Sequence, residues 1–315
     1  MTELMIRPMV AADLPDADRI NRIAFGTFFG LKDPAEFRGD GDAVYGRFEA
    51  NPEGAFVGEL GGCQVACGFV TDWKGMAILG PLTVDVNYWG SGIGRRMMAE
   101  MIAYLDKHSF RLCGLFTHPQ SPTHIRLYES FGFQMQQITA VMDKVVPPTS
   151  SLPDNASFFS TLDQIDRKKV LAQCRAITNQ IFPALDVTSE ICAIERNKFG
   201  DTAFLKSARG LEGFACLHQG TMSEAGSQQT LVKFAAIRPG PSIEKVFLEL
   251  LAFCEGFAAS RGTMRIVAGT NTGRTACYRT MLQNGYRTWM NGIAMMRPSS
   301  LGYNQPKTFV IDDWR

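Results

Sequence analysis

Three glycines alternate just ahead of a helical run: Gly90, Gly92 and Gly94, within VDVNYWGSGIGRRMMAEMIAYLDKH at residues 84–108. Glycine lets successive amides point one way with no Cβ in their path. At a helix start those amides have no intrahelical acceptor, and the helix dipole adds partial positive charge. The pattern suits a phosphate or pyrophosphate seat, with Arg95 and Arg96 as cationic donors beside it. A plain turn is the competing reading of the glycines alone. No Lys-Ser/Thr pair follows the last glycine, so this is not a Walker A loop. The spacing also fails the dinucleotide fingerprint, and the strands before it read as antiparallel.

The elements around the loop follow from periodicity. After it, apolar positions Ile93, Met97, Met98, Met101, Ile102 and Leu105 share one helical face. Before it come a strand LMIRPMV, a helix starting near Asp13, and alternating strands AFVGEL, CQVACGFVTDW and AILGPLTVDV. Gly61-Gly62 between the first two of these alternating strands is a hairpin signal. After the glycine helix, strand RLCGLFT leads to a short helix, SPTHIRLYESF, with Ser121 as its cap and Pro122 in its first turn, then a last strand, FQMQQITAVMDK.

The same order returns later in the chain. A constant offset of 153 positions carries Val84 to Ile237, Gly132 to Gly285 and RLCGLFT to MRIVAGT. This reads as two copies of one α/β unit, an α+β arrangement in which each unit has a mixed, mostly antiparallel sheet flanked by helices. The expected bounds are 1–146 for the first unit, a Pro/Ser-rich linker at 147–156, and 157–315 for the second.

Composition narrows the function classes. With 45% hydrophobic and 20% charged residues and a net charge of +1, the chain reads as globular, without the concentrated basic surface that nucleic acid or membrane partners favour. The eight cysteines form no CxxC pair and no His stands at zinc spacing, so reduced core thiols are expected and no metal. No signal peptide or membrane span is legible, and a cytoplasmic location is expected.

The sequence LTVDVNYWGSGIGRRMM followed by SPTHIRLYESFGF resembles two motifs of the GCN5-related N-acetyltransferases, the GNAT superfamily, over nearly all of residues 4–145. The resemblance implies acetyl-CoA as acyl donor. It implies that the backbone of Leu82, Thr83 and Val84 holds the pantetheine arm, and that Gly90, Ser91, Gly92, Ile93, Gly94 and Arg95 wrap the pyrophosphate. Ser121 falls where many members contact the cofactor through Asn, and Trp89 replaces the Arg/Gln that opens the family's loop pattern. Tyr128 matches the tyrosine that protonates the departing thiolate; read without the family, it fits the apolar helix face of Ile125 and Phe131. For the base, Phe116 stands where some relatives carry one, which leaves His118, Asp72 and Asp85, with His118 placed first. Phe28, Phe29 and Trp73 are the expected acceptor wall; Phe25 reads as core.

In the second copy the offset turns the three glycines into Ile243, Lys245 and Phe247, with RPGPS ahead of them, and Tyr128 into Met281. Prolines lack the amides a phosphate needs. The second unit therefore reads as a GNAT-like domain that kept its core and lost its seat. The resulting expectation is an acyl-CoA-dependent N-acyltransferase, an N-acetyltransferase acting on a small-molecule or peptide amine, with a homodimer left open. A non-catalytic acyl-CoA-binding protein is the alternative.

Overall fold

The computed structural model describes residues 3–153, 156–299 and 302–315. Met1 and Thr2, and Asp154 and Asn155 of the expected linker, lie outside the described residues. The first half runs β1 (Leu4–Pro8), α1 (Leu14–Phe28), α2 (Tyr45–Ala50), β2 (Ala55–Leu60), β3 (Cys63–Trp73), β4 (Met76–Val84), α3 (Ile93–His108), β5 (Leu112–Thr117), α4 (Pro122–Glu129) and β6 (Gln134–Val145). The second runs β7 (Ala156–Phe158), α5 (Gln164–Ile181), α6 (Thr188–Asn197), β8 (Gly200–Ser207), β9 (Gly210–Gly220), β10 (Gly226–Ile237), α7 (Ile243–Ser260), β11 (Arg265–Asn271), α8 (Thr275–Gln283), β12 (Arg287–Arg297) and β13 (Val310–Ile311).

Local chemistry sets these boundaries. Gly61 and Gly62 take φ of 58° and 81°, the two positive angles that a two-residue hairpin with the strands' own twist requires, and they join β2 to β3. Helix α3 buries Ile93, Met97, Met98, Met101, Tyr104 and Leu105, so the face anticipated from spacing is the core face. The helix stops where Ser109 turns left-handed and returns its amide to the Leu105 carbonyl. Lys107 and His108 occupy the last turn, where the dipole favours cations.

The repeat is visible in the register. Ala77, Ile78 and Leu79 of β4 pair in parallel with Cys113, Gly114 and Leu115 of β5. At the same offset, Thr230, Leu231 and Val232 of β10 pair with Ile266, Val267 and Ala268 of β11. The two sheets are not separate, however. Their strands run in one continuous order: β1, β2, β3, β4, β5, β12, β6, β11, β10, β9, β8, β7. The last strand of each half has crossed over: β12 lies against β5 of the first half, β6 lies against β11 of the second, and β6 and β12 pair with each other.

The exchange predicts how the halves behave apart. Expressing residues 1–147 alone leaves β5 without β12 and β6 without β11, with Ala140, Val141 and Met142 of β6 uncovered. Unpaired edges with apolar faces drive aggregation. The fragment is expected in the insoluble fraction, and coexpression with residues 148–315 is expected to return both to solution as a complex. A soluble, fully active 1–147 fragment would contradict this.

Candidate active site

The strand and helix that meet at the glycine loop create an opening in the sheet. Pairing between β4 and β5 ends at Leu79 and Leu115, while β3 continues to hold β4 through Gly68–Leu82, Cys67–Thr83 and Ala66–Val84. Leu82, Thr83 and Val84 therefore have one edge with no strand beside it. The Thr83 hydroxyl is turned away, 3.1 Å from the buried Cys67 sulfur, whose thiol burial pushes up to about 12. Thr83 thus offers the opening only its main chain. Trp89, in the place of the family's Arg/Gln, folds back and donates from Nε1 to the Val84 carbonyl at 2.8 Å, so that carbonyl is already engaged.

At the loop, Gly90 and Gly92 take φ of 78° and 85°, and Gly92 is the residue before the first turn of α3. The space where a Cβ would stand is open at both. The Ser91 hydroxyl turns back to the Tyr88 carbonyl at 2.6 Å. Arg95 bonds the Ser130 hydroxyl at 2.9 Å and lies over the Phe131 ring, whereas Arg96 leaves the loop for the Leu4 carbonyl. Opposite the loop, Ser121 caps α4, and Tyr128, like Ile125, Leu127 and Phe131, packs against the buried cluster that includes Leu79, Met98, Met101 and Leu115. Burial pushes the Tyr128 phenol up to about 12, so it keeps its proton at neutral pH.

One cavity of about 870 Å³ joins these parts. Leu82, Thr83, Val84, Gly90, Gly92, Ile93, Gly94, Ser121 and Tyr128 line it at one end, and Phe28, Phe29 and His118 line it further in. Ser91, Arg95 and Trp73 are not part of its wall. Trp73 is buried elsewhere, edge-on to Phe234 at 5.3 Å, within the core between the halves. Asp72 is held by Lys74 at the turn after β3, and Asp85 by Asn87; neither reaches the cavity. Phe25, read as core from the sequence, is in the wall and stacks on Phe37 at 5.4 Å.

His118 is boxed by aromatic rings, with centroids of Phe29 at 5.0 Å, Phe28 at 5.2 Å and Phe116 at 5.4 Å. Burial, then the nearby His124 and Arg315, bring its imidazole down to about 4, so it is neutral at physiological pH and weakly basic.

The second half closes the inner end. Arg22 of α1 fixes the loop before α2 by donating to the carbonyls of Phe37, Gly39 and Gly41 at 2.6–2.8 Å. The loop is then tied to the β9–β10 turn through Asp42–Ser223, Met222–Asp40 and Ser227–Asp40 hydrogen bonds. This brings Arg38, Arg47 and Glu224 together at the wall, with Trp289 arriving from β12 and Trp314 and Arg315 from the segment after β13. Burial alone would raise Glu224, but Arg47 and Lys233 hold it well below the usual carboxylate range. None of these was picked from sequence. The arginines carry no motif, and Glu224 reaches the site only through a contact between distant segments.

The equivalent opening in the second half is filled by the chain itself. There Ala235 and Ala236 stand where Leu82 and Thr83 stand in the first, and β13 pairs with them through Ile311 and Val310. Arg274, at the place of Ser121, is fully buried and ion-paired with Asp312. Among the described residues no group of His, Cys, Asp or Glu is placed to hold a metal ion, and no helix is long and apolar enough to cross a membrane.

Comparison with known proteins agrees with this geometry. Residues 18–133 match the Acetyltransferase (GNAT) family. The uncharacterized N-acetyltransferase YhbS of Escherichia coli (strain K12) is 28% identical over 133 residues, 42% of this chain and 74% of that protein. Three solved structures share the fold across both halves. A proposed acetyltransferase from Pyrococcus horikoshii superposes with a TM-score of 0.69 at 16% identity, covering 99% of this chain and 95% of that one. A GCN5-related N-acetyltransferase from Sphaerobacter thermophilus gives 0.59 at 15% identity, over 93% and 95%. A tandem GNAT protein from the clavulanic acid biosynthesis pathway gives 0.55 at 13% identity, over 95% and 100%. The splayed β4 and the glycine turn both lie within residues 18–133, the stretch that matches the Acetyltransferase (GNAT) family, and the second half of the chain repeats the fold of the first.

Proposed function

We propose that this chain transfers the acetyl group of acetyl-CoA to the nitrogen of a small primary amine, and that it does so in the first half. The observation that carries the reading is the single cavity running from the glycine turn, along the free edge of β4 and past Tyr128, into an aromatic chamber. In this reading the main chain of Leu82–Val84 holds the pantetheine arm. The amides from Gly90 to Gly94 take the pyrophosphate, with Ser121 and Arg95 at its margins. The acceptor lies against Phe28, Phe29 and His118. Its nitrogen adds to the thioester carbon and passes its second proton to water, the carbon–sulfur bond breaks, and Tyr128 donates a hydrogen bond to the departing sulfur. Eight free thiols fit a cytoplasmic protein.

The ammonium proton must leave before attack. His118 near 4 and Glu224 below the carboxylate range are both too weak to remove it from an alkylammonium near ~10.4. His118 instead accepts an N–H of the neutral amine and orients it. The fraction of neutral amine grows with pH below the amine's own pKa. For a simple alkylamine, kcat/KM is therefore expected to rise about tenfold per pH unit from roughly 7 to 9. An inflection near ~6.5, the ordinary histidine value, would show instead that a conventional base controls the rate. A thiol-release assay with acetyl-CoA across an amine panel tests the reading as a whole. Binding of acetyl-CoA with no thiol release for any amine would refute it.

A further inference from the structure

The inner chamber holds one buried arginine, Arg47, and one half-buried arginine, Arg38, whose charges are incompletely matched. Arg47 is 6% exposed; it donates to the Gly80 carbonyl at 2.7 Å and reaches Glu224 Oε2 at 3.3 Å and the Arg315 main-chain oxygen, yet its Nε is buried without a partner. Arg38 meets the Glu224 main-chain oxygen at 3.2 Å, forms no ion pair with any carboxylate of the described residues, and also has a buried, unpartnered Nε. Glu224 is the one side-chain carboxylate among the described residues of the wall, and both its oxygens lie 2.8 Å from Lys233 Nζ. The other two arginines of the wall are matched by carboxylates outside it, Arg265 by Asp143 and Arg315 by Asp313. Asn21, 2% exposed, adds another unpartnered donor, its Nδ2, as does the Nε of Arg315.

Buried donors without acceptors are costly, and buried charge more so. The strain shows on Arg38: burial, with Arg47 and Arg315 nearby, pulls its guanidinium down to about 10 despite Glu224 and Asp313. An anion in the chamber would give Arg38 the charged partner it lacks. A polycationic amine would meet like charge there and find Glu224 already engaged.

We propose that Arg38 and Arg47, with Asn21, form a subsite for an anionic oxyacid group, so that the acceptor is a small primary amine that also carries a carboxylate or a phosphate. This rests on the transferase reading of the cavity and adds the substrate class to it. The aromatic wall of Phe28, Phe29 and Phe37 would cover the carbon skeleton between the amine and the anion.

The test uses the full chain and matched pairs that differ in the anion. In the thiol-release assay these are L-phenylalanine against phenethylamine and O-phosphoethanolamine against ethanolamine, with spermidine as the polycation. The anionic member is expected to lead by roughly ten- to hundredfold in kcat/KM, the range of a charge-assisted pair. The pair showing the larger ratio tells carboxylate from phosphate. Calorimetry on CoA-loaded protein with N-acetyl-L-phenylalanine against N-acetylphenethylamine reads the same subsite without turnover. Arg38→Gln is expected to bring the binding ratio toward one, and Arg38→Lys to leave it intermediate. Equal binding of the two members by the wild-type chain, or tighter binding of the uncharged one, overturns the subsite. A preference for the anion with no thiol release from any amine supports the subsite and refutes the transferase reading instead.

Discussion

Calorimetry of the full chain with acetyl-CoA is expected to show one site, and Gly92→Val to remove it. Gly92 sits at φ 85° ahead of α3, where the backbone must turn left-handed to aim the first amides of the helix outward. Valine is stiff at χ1 and disfavours that angle, at a cost of about 1–3 kcal/mol. Its side chain would also stand in the open space at Gly92, through which the proposed pyrophosphate would approach. Losing two amide contacts to a charged group amounts to about 3–6 kcal/mol, or roughly a hundredfold to ten-thousandfold in affinity. Gly62→Val is the control. It imposes a similar angle, 81°, at a hairpin tip outside the cavity, so it should cost comparable stability and leave binding intact. The second half contributes no site because β13 lies along the equivalent strand edge. Near-native affinity in Gly92→Val, or two equivalent sites in the wild-type chain, would refute this account.

Tyr128→Phe is expected to lower kcat while leaving the dissociation constant of acetyl-CoA nearly unchanged. The ring keeps its place against the buried cluster that includes Leu79, Met98, Met101 and Leu115, and only the hydroxyl goes. With the phenol near 12 and an alkyl thiol near ~8.5, full proton transfer to the thiolate runs uphill by several pKa units. In the proposed reaction the hydroxyl therefore works as a hydrogen-bond donor while charge gathers on sulfur, and the released thiolate takes its proton from water. A fall on the order of tenfold to a thousandfold follows, in the lower part of the range for acid catalysis. The raised phenol also means that no loss of activity from Tyr128 ionisation is expected up to about pH 10. Unchanged turnover, with chemistry shown to be rate-limiting, would leave Tyr128 a packing residue.

The parts of this architecture that were legible in the sequence are those encoded over short spans. Gly61-Gly62 dictates its hairpin whatever surrounds it, and the spacing from Ile93 to Leu105 dictates which face of α3 is buried. The offset of 153 survives because register in the parallel pairs β4–β5 and β10–β11 was kept in both copies. Trp73 shows the limit. Every residue of β3 from Val65 to Thr71 is buried, so alternation does not separate a side chain facing the site from one facing the other core. Asp72 looked close to the site in sequence order, but the β3–β4 turn carries it to the far end of the strand. The arginine chamber was invisible for a different reason. Arg47 and Glu224 are 177 positions apart, and only the pairing of the halves makes them neighbours.

The crossing of β6 and β12 also sets a timetable for biosynthesis. β5 finds its neighbour only when β12, ending at Arg297, has left the ribosome. At roughly 5–20 residues per second, the first half waits on the order of ten to thirty seconds after β6 emerges before its sheet can be completed. During that interval its strand edges are available to chaperones, or to the same edges of another nascent chain, whose strand could be borrowed in place of its own. Ribosome-bound chains halted at increasing lengths should stay protease-sensitive in the first half until β12 is exposed. Early protection of residues 1–145 would show that the half closes provisionally on its own and exchanges strands later.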